Sequence, residues 1–238
     1  MKNKKYIMIG KCLFFPKEKI LCIGDLHLGY EQMLHESGVM IPFKQSEQTI
    51  SDLNKVFDYL KKEKLKIKKI ILLGDIKHYF PYNKAEKFGL FELLDFFRKY
   101  VDDKDIILIR GNHDKVNIGK KFKDFYIKDD IAFIHGHKNF TEINDKKIKY
   151  VIMSHIHPSV VLRDEYKKEK YKCFLVGKYK SKQFVILPSF LPLVTGVDIE
   201  NIKRFISIIP QKSLKEFEVF VVGKELEALE FGKLKNIE

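Results

Sequence analysis

Short apolar runs recur along the chain, and each of three early ones halts at the same kind of turn. Ile20–Ile23 stops at Gly24-Asp25, Lys69–Leu73 stops at Gly74-Asp75, and Asp105–Ile109 stops at Arg110-Gly111-Asn112. Between them, Gln45–Lys62 carries Ile50, Leu53, Phe57 and Leu60 at helical spacing, and Lys84–Tyr100 carries Phe88, Phe91, Leu94, Phe96 and Phe97. Apolar strands alternating with amphipathic helices predict parallel strands covered on both faces. Later in the chain the pattern changes. Ile131–Ile134, Tyr150–Met153, Ser159–Leu162, Cys173–Val176, Phe184–Leu187, Phe205–Ile209 and Phe217–Val222 read as strands separated by turns or charged segments. They predict a second, largely antiparallel sheet. The lysine-rich stretch Tyr166–Lys172 reads as a solvated hairpin loop, and the tail after Gly223 as a weak helix or a frayed end. No segment rich in Pro, Gly or Ser divides the chain, so residues 1–238 are expected to form one domain.

Composition changes this picture only at its edges. The 238 residues are 45% hydrophobic and 13% aromatic, which excludes a wholly disordered chain. No run approaches the roughly 18 apolar residues of a membrane span. Lys2, Lys4 and Lys5 precede an apolar run that Lys11 breaks, and no small-residue cleavage site follows. The N-terminus therefore reads as a first strand rather than a signal peptide, and the protein as cytoplasmic. The net charge of +13 favours anionic partners such as nucleotides, nucleic acid or acidic lipid. Yet the only arginines are Arg98, Arg110, Arg163 and Arg204. The lysines are spread out, so a compositional bias accounts for the charge equally well. Cys12, Cys22 and Cys173 form no Cys-x-x-Cys pair and read as buried filler rather than ligands.

The candidate chemistry begins where the strands end. Ligands of open α/β sheets bind beyond the carboxyl ends of the strands, so Asp25, Asp75 and Asn112 are expected on one rim. His27 lies two residues past Asp25, His113 follows Asn112, His135 and His137 flank Gly136, and His155 and His157 flank Ile156. A set of His, Asp and Asn without thiolate suits manganese, iron, cobalt, nickel or zinc. Any one of these motifs is ordinary turn chemistry; their ordered recurrence after apolar runs marks a site. Two divalent ions with about +4, set against about −3 from Asp25, Asp75 and a bridging hydroxide, leave a centre near +1 that attracts phosphate. Ions about 3.5–4 Å apart clamp phosphoryl oxygens and generate a nucleophile near neutral pH, and a neighbouring imidazole can serve as general acid. His135 is favoured over His137 as a ligand because it directly follows Ile134. His35 falls in an expected loop after the first motif, where it could line the cleft, although a surface histidine is the favoured reading.

Gly24-Asp25-Leu26-His27, Gly74-Asp75, Gly111-Asn112-His113-Asp114, His135-Gly136-His137 and Ser154-His155-Ile156-His157-Pro158 together resemble the calcineurin-like metallophosphoesterase superfamily over about residues 20–160. Gly24–Glu31 and Leu73–His78 look most like the archaeal phosphoesterases related to SbcD and Mre11, and the bacterial DNA-ligase-associated phosphoesterases are similar. The resemblance implies a four-layer αββα sandwich of two mixed sheets flanked by helices. It implies that Asp25, His27 and His157 hold a first ion, that Asn112, His135 and His155 hold a second, and that Asp75 bridges both. Manganese is the first choice, with iron, cobalt, nickel, zinc or magnesium as alternatives. His113 would protonate the leaving oxygen. Two positions depart from the family pattern. His78 stands where many relatives carry an Asp that orients the catalytic His; it is expected to do that, to contact phosphate, or to cap the loop. Ser154 replaces a Gly and is expected only to tighten its turn. Arg110 is a candidate phosphate contact or a structural ion pair. The expected activity is hydrolysis of phosphodiesters of nucleotides or nucleic acid. A phosphomonoesterase, or a metal-bearing scaffold with a DNA-repair partner, stands as the alternative.

Overall fold

The apolar runs become the strands of two mixed sheets. The computed structural model describes residues 5–42, 44–78, 84–115, 121–163, 165–199 and 207–237. The first sheet contains β1 (Ile7–Ile9), β2 (Cys12–Phe15), β3 (Ile20–Ile23), β4 (Lys69–Leu72), β5 (Ile106–Ile109) and β6 (Phe122–Lys123), in that order. An antiparallel β1-β2-β3 meander leads into parallel pairing from β3 to β6. The second sheet contains β7 (Phe125–Lys128), β8 (Ile131–Ile134), β9 (Tyr150–Met153), β10 (Pro158–Arg163), β11 (Lys168–Tyr179), β12 (Lys182–Ile186) and β13 (Val197–Asp198). Its order is β13-β10-β11-β12-β9-β8-β7, with β14 (Glu218–Val222) paired to β11 and β15 (Ala228–Lys233) to β14. The helices are α1 (Tyr30–Glu36), α2 (Gln45–Lys62), α3 (Lys84–Arg98) and α4 (Gln211–Leu214).

Alternation along each strand builds the layers, because successive side chains point to opposite faces. Leu21, Ile23, Ile70, Leu72, Ile106 and Leu108 pack with Leu53, Val56, Phe57, Leu60, Leu94 and Phe97 of α2 and α3. Their neighbours Ile20, Cys22, Ile71, Leu73, Ile107 and Ile109 face Ile131, Phe133, Ile152, Phe174, Val185 and Leu187 of the other sheet. The outer face of that sheet, with Ala132, Ile134, Val151, Met153, Leu175 and Ile186, packs with Ile199, Ile209, Leu214 of α4, and Leu234. Three apolar interfaces thus separate four layers, as expected of an αββα sandwich. The fourth layer is thin among the described residues, since α4 has only four residues. Among those residues, too, no helix is long and apolar enough to cross a membrane.

Several sequence expectations need correction. Lys168–Lys172 is the first part of β11, paired antiparallel with β10, and not a loop. Lys170 Nζ donates to Gly196 O and Lys172 Nζ to Ser189 O, so these long side chains satisfy carbonyls of the facing 189–196 loop. The tail forms β15, because edge pairing with β14 outweighs the helical leaning of its Leu, Ala and Glu residues. His35 belongs to α1, not to a loop. Of the strand expected at Phe205–Ile209, residues 207–209 are bends and 205–206 lie outside the described residues. The hairpin partner β2 and the short strands β6 and β7 gave no separate signal.

Candidate metal centre

Both sheets run parallel where they meet the rim. The loops after β3, β4 and β5 carry Asp25 and His27, Asp75, and Asn112 and His113; those after β8 and β9 carry His135, and His155 and His157. Their backbone is unusual. Asp25 (φ 45°), His27 (45°), Asp75 (45°), His155 (71°) and His157 (51°) all lie in the left-handed region, which non-glycine residues adopt reluctantly. Cross-loop hydrogen bonds hold them there. His27 N donates to Asp75 O at 2.8 Å, and Leu28 N to Ile76 O at 2.8 Å. Gln45, 1% exposed at the start of α2, donates its amide to Leu26 O at 3.1 Å and His27 O at 2.8 Å. Asp114 accepts from Ile76 N, Lys77 N and Gly111 N, which ties the loop of Asp75 to that of Asn112. Two glycines are required by close approach: a Cβ at Gly111 would lie 2.1 Å from Asp75 Oδ1, and one at Gly74 2.6 Å from His135 Nδ1.

The side chains converge as three overlapping donor groups: His27, His78 and His113 form one, and the other two share the carboxylate of Asp75. Ligand atoms of Asp25, His27, Asp75 and His157 all lie within 4.8 Å of one another, as do those of Asp75, His135 and His155. His27 Nε2 is 3.1 Å from His157 Nε2, and His157 Nε2 is 3.4 Å from Asp25 Oδ2. On the other side His135 Nε2 lies 3.2 Å from Asp75 Oδ2 and 3.1 Å from both Asn112 Oδ1 and His155 Nδ1. Ligands about 2.1 Å from one ion are about 3.0 Å apart in an octahedron and about 3.4 Å in a tetrahedron. The observed separations match the edges of such polyhedra. The tautomers agree as well. His135 Nδ1 lies 2.8 Å from Leu73 O and so donates to it, leaving Nε2, which faces Asp75, to donate to that carboxylate when protonated or to bind a cation when not. The donor sets are therefore of a kind that could hold divalent ions, and Asp75 belongs to two of them.

Charge on these groups follows the same logic. Burial works to raise the Asp25 carboxyl, but His157 and His135 outweigh it and hold it below the ordinary carboxylate range. Asp75 is likewise held low against its burial by His135, His27 and the His113 N–H. Burial and the nearby His157 push His27 down to about 3. His135 is pushed up to about 9: burial opposes its charge, but the hydrogen bond and charge of Asp75 and the charge of Asp25 prevail. Two buried carboxylates thus demand a cation between them, which a proton on His135 or a divalent ion can supply.

The remaining expected site residues fall into place around this core. His113 Nδ1 lies 3.2 Å from the His78 carbonyl, and the two rings stack at 5.1 Å and 19°. It is thus the backbone of His78 that orients His113. The His78 ring instead meets His27, Nδ1 to Nδ1 at 3.0 Å, with Tyr30 edge-on at 4.7 Å. Arg110 Nη1 donates to Asp114 O at 2.9 Å, and its guanidinium lies 4.9 Å from the Phe122 ring centre. His137 stays outside all three donor sets, with its buried Nδ1 unpartnered. His35 bonds to Ile41 O. Ser154 does more than tighten a turn: its hydroxyl reaches Leu73 O at 2.7 Å, Asp25 Oδ1 at 3.1 Å and His135 Nδ1 at 3.2 Å. Asp114, Gln45 and Ser154 escaped sequence reasoning. The only prior signals were the adjacency of Asp114 to the Asn-His pair and the departure at Ser154.

Comparison with known proteins places this geometry. The sequence profile described as calcineurin-like phosphoesterase matches residues 18–200, more than half of the chain. Among solved structures, the nuclease MPE of Pseudomonas putida superposes with a TM-score of 0.61 at 20% identity. That alignment covers 95% of this chain and 100% of the other, a likeness of fold. Vps29 of Entamoeba histolytica in complex with zinc gives a TM-score of 0.38 at 18% identity over 74% of this chain and 79% of the other. A metallophosphoesterase from Sphaerobacter thermophilus gives 0.33 at 12% identity over 92% and 87%. No curated protein matches the sequence.

Proposed function

This chain belongs to the calcineurin-like phosphoesterase family, and from that premise we propose that it is a dinuclear phosphodiesterase acting on nucleotides or nucleic acid. Family membership makes it a metal-dependent hydrolase of phosphate esters; the ion count, the diester and the residue roles are our reading. The observation that carries the reading is the shared carboxylate: Asp75 belongs to two of the donor sets. Asp25, His27 and His157 would hold one ion with Asp75, and Asn112, His135 and His155 the other, with manganese as the first choice. Two such ions supply Lewis acidity toward phosphoryl oxygens and a nucleophile at neutral pH.

The chain's own residues supply the rest. His113, its Nδ1 engaged by the His78 carbonyl, would deliver a proton to the leaving oxygen. His78 steadies His27 through the contact between their Nδ1 atoms, which favours Nε2 of His27 as the ligand atom. Arg110 spends one N–H on Asp114 O and is assigned to contact phosphate through the others. A metal-bearing scaffold has no use for His113 beside its ions, which favours the catalytic reading. The test is a panel with Mn²⁺: bis-p-nitrophenyl phosphate, p-nitrophenyl phosphate, 2′,3′-cyclic nucleotides and single-stranded DNA. The diesters should show the higher kcat/KM. Preference for the monoester would replace the diesterase by a monoesterase, and no turnover with any of the six candidate metals would overturn the catalytic reading.

A further inference from the structure

Five lysines far apart in sequence meet beside the metal centre. Lys11, Lys44, Lys55, Lys172 and Lys224 line two adjoining cavities that share Lys11 and Asp52, the larger of about 420 Å³. Asp52 is the only carboxylate among the described lining residues, so their formal charge is +4. Some lysines elsewhere are met by acids: Lys5 by Glu18 and Asp130, Lys69 by Asp105, and Lys233 and Lys235 by Glu216. Among the described groove residues Lys11 has a close acidic partner, Asp52 at 2.7 Å, and Lys55 stands 3.7 Å from the same residue. Lys44 and Lys224 lie exposed. Lys172 is held by Ser189 and by Leu191 O, neutral acceptors, with the Asp25 and Asp52 charges farther off. Burial pushes it down to about 7, and a phosphate nearby would restore its proton.

The groove and the centre share their backbone. Gln45 lines the larger cavity while its amide grips the carbonyls of Leu26 and His27. Pro192 and Leu193 line it too, just after Leu191, whose N–H donates to Asp25 O at 3.2 Å. A polyanion reaching the metals from this side therefore passes along the lysines. A positive groove with an apolar wall, here Pro192 and the 41% exposed Leu193, suits a single strand better than a free nucleotide, whose few charges the centre itself accommodates. We propose that the groove binds successive phosphates of a polynucleotide strand extending beyond the scissile bond, so that the substrate is a strand and not a mononucleotide. The proposal rests on the phosphoesterase reading of the adjoining centre.

The experiment uses the metal-loaded full chain and a fluorescent phosphorothioate thymidine 12-mer that resists cleavage, with binding read by anisotropy at several salt concentrations. Lys44→Glu, Lys55→Glu and Lys224→Glu are combined in one variant. All three side chains are exposed, so folding is preserved. A control variant reverses Lys146, Lys147 and Lys212, equally exposed, on the loop before β9 and on α4. Loss of three phosphate contacts should lower the slope of log affinity against log salt by about 2, and affinity at about 0.15 M salt at least tenfold. The control, with the same change in net charge, should move far less. Equal loss in both variants would reduce the effect to net charge and overturn the proposal, as would wild-type affinity no higher for the 12-mer than for a dinucleotide. Turnover of bis-p-nitrophenyl phosphate separates the two claims. Strand binding that behaves as expected without turnover sinks the phosphoesterase reading alone; turnover without a groove effect sinks the groove alone.

Discussion

Replacing Asp114 by alanine should loosen the rim without touching a ligand. The carboxylate is 1% exposed and accepts from Ile76 N and Lys77 N at 3.1 Å each and from Gly111 N at 2.9 Å. Alanine leaves three buried donors without an acceptor, at about 1–3 kcal/mol each when nothing replaces the bond. Water entering the vacated space recovers part of that. Burial also pushes the Asp114 carboxyl up to about 6, so carrying its charge at neutral pH is itself unfavourable, and its removal returns some stability. We therefore set the net loss at about 2–4 kcal/mol, low in the additive range. For a chain of this length that is a fall in Tm of about 5–15 °C. Asp114→Asn keeps a carbonyl oxygen for two of the three donors but turns its amide toward Gly111 N, and should fall between wild type and alanine. Calorimetry of the three proteins decides. An alanine variant within about 0.5 kcal/mol of wild type, the range of an indifferent surface change, would show that the carboxylate does not tie the two loops.

Three further outcomes follow from the same geometry. Asp75→Ala should abolish stoichiometric binding of both ions while Asp25→Ala retains more metal, as elemental analysis after metal loading would show; two ions per chain in Asp75→Ala would disprove the bridge. His113→Ala should keep its metals yet lose about 10²–10⁴-fold in activity, with a smaller loss for p-nitrophenolate, a leaving group that needs little protonation. Equal losses with good and poor leaving groups would remove the acid role. Lys172, near 10.5 when exposed, sits at about 7 in the fold because of burial. Between those values the unfolded chain holds a proton that the folded chain sheds, so its contribution to stability rises with pH. Wild type should gain about 2 kcal/mol on Lys172→Met between pH 7.5 and 9 in urea titrations, and a pH-independent gap would place the ammonium in water.

The residues proposed as metal ligands were legible because each lies within one to four residues of the end of an apolar run. Strand direction then carries Asp25, Asp75, Asn112, His135 and the His155–His157 pair to one rim. What supports them was not legible. Nothing marks Asp114 as the acceptor for the two other loop segments until β4 and β5 lie side by side, and Gln45 is an ordinary helix-start residue until it meets the His27 carbonyl. Lys168, Lys170 and Lys172 alternate with Glu169 and Tyr171 as strand residues do, yet charge suggested solvent. The carbonyls that Lys170 and Lys172 grip belong to a loop some twenty residues onward. The lysine groove was equally hidden. Its members come from β11, from α2 and the residue before it, and from the turns after β1 and β14, and neither spacing nor residue type sets them apart from the other lysines of the chain.

The strain at the centre gives these supports their meaning. Five site residues sit at positive φ, and at about 1–2 kcal/mol for each the backbone carries on the order of 5–10 kcal/mol of unfavourable conformation. That rivals the whole stability of a typical domain. It persists because the loops hang from strands whose Ile20, Cys22, Ile71, Leu73, Ile107 and Ile109 are locked between the sheets. Asp114, Gln45 and Ser154 then close the remaining gaps with hydrogen bonds. The same turns aim Asp25, Asp75 and their histidines at common points, which extended strand ends would not do, since successive side chains there diverge to opposite faces. Gly111 and Gly74 complete the device by letting Asp75 and His135 approach to distances that any Cβ would forbid. The pattern of residue types is thus only half of the site; the other half is a backbone bent against its own preference and held there by a core that reads, in the sequence, as nothing more than alternating aliphatics.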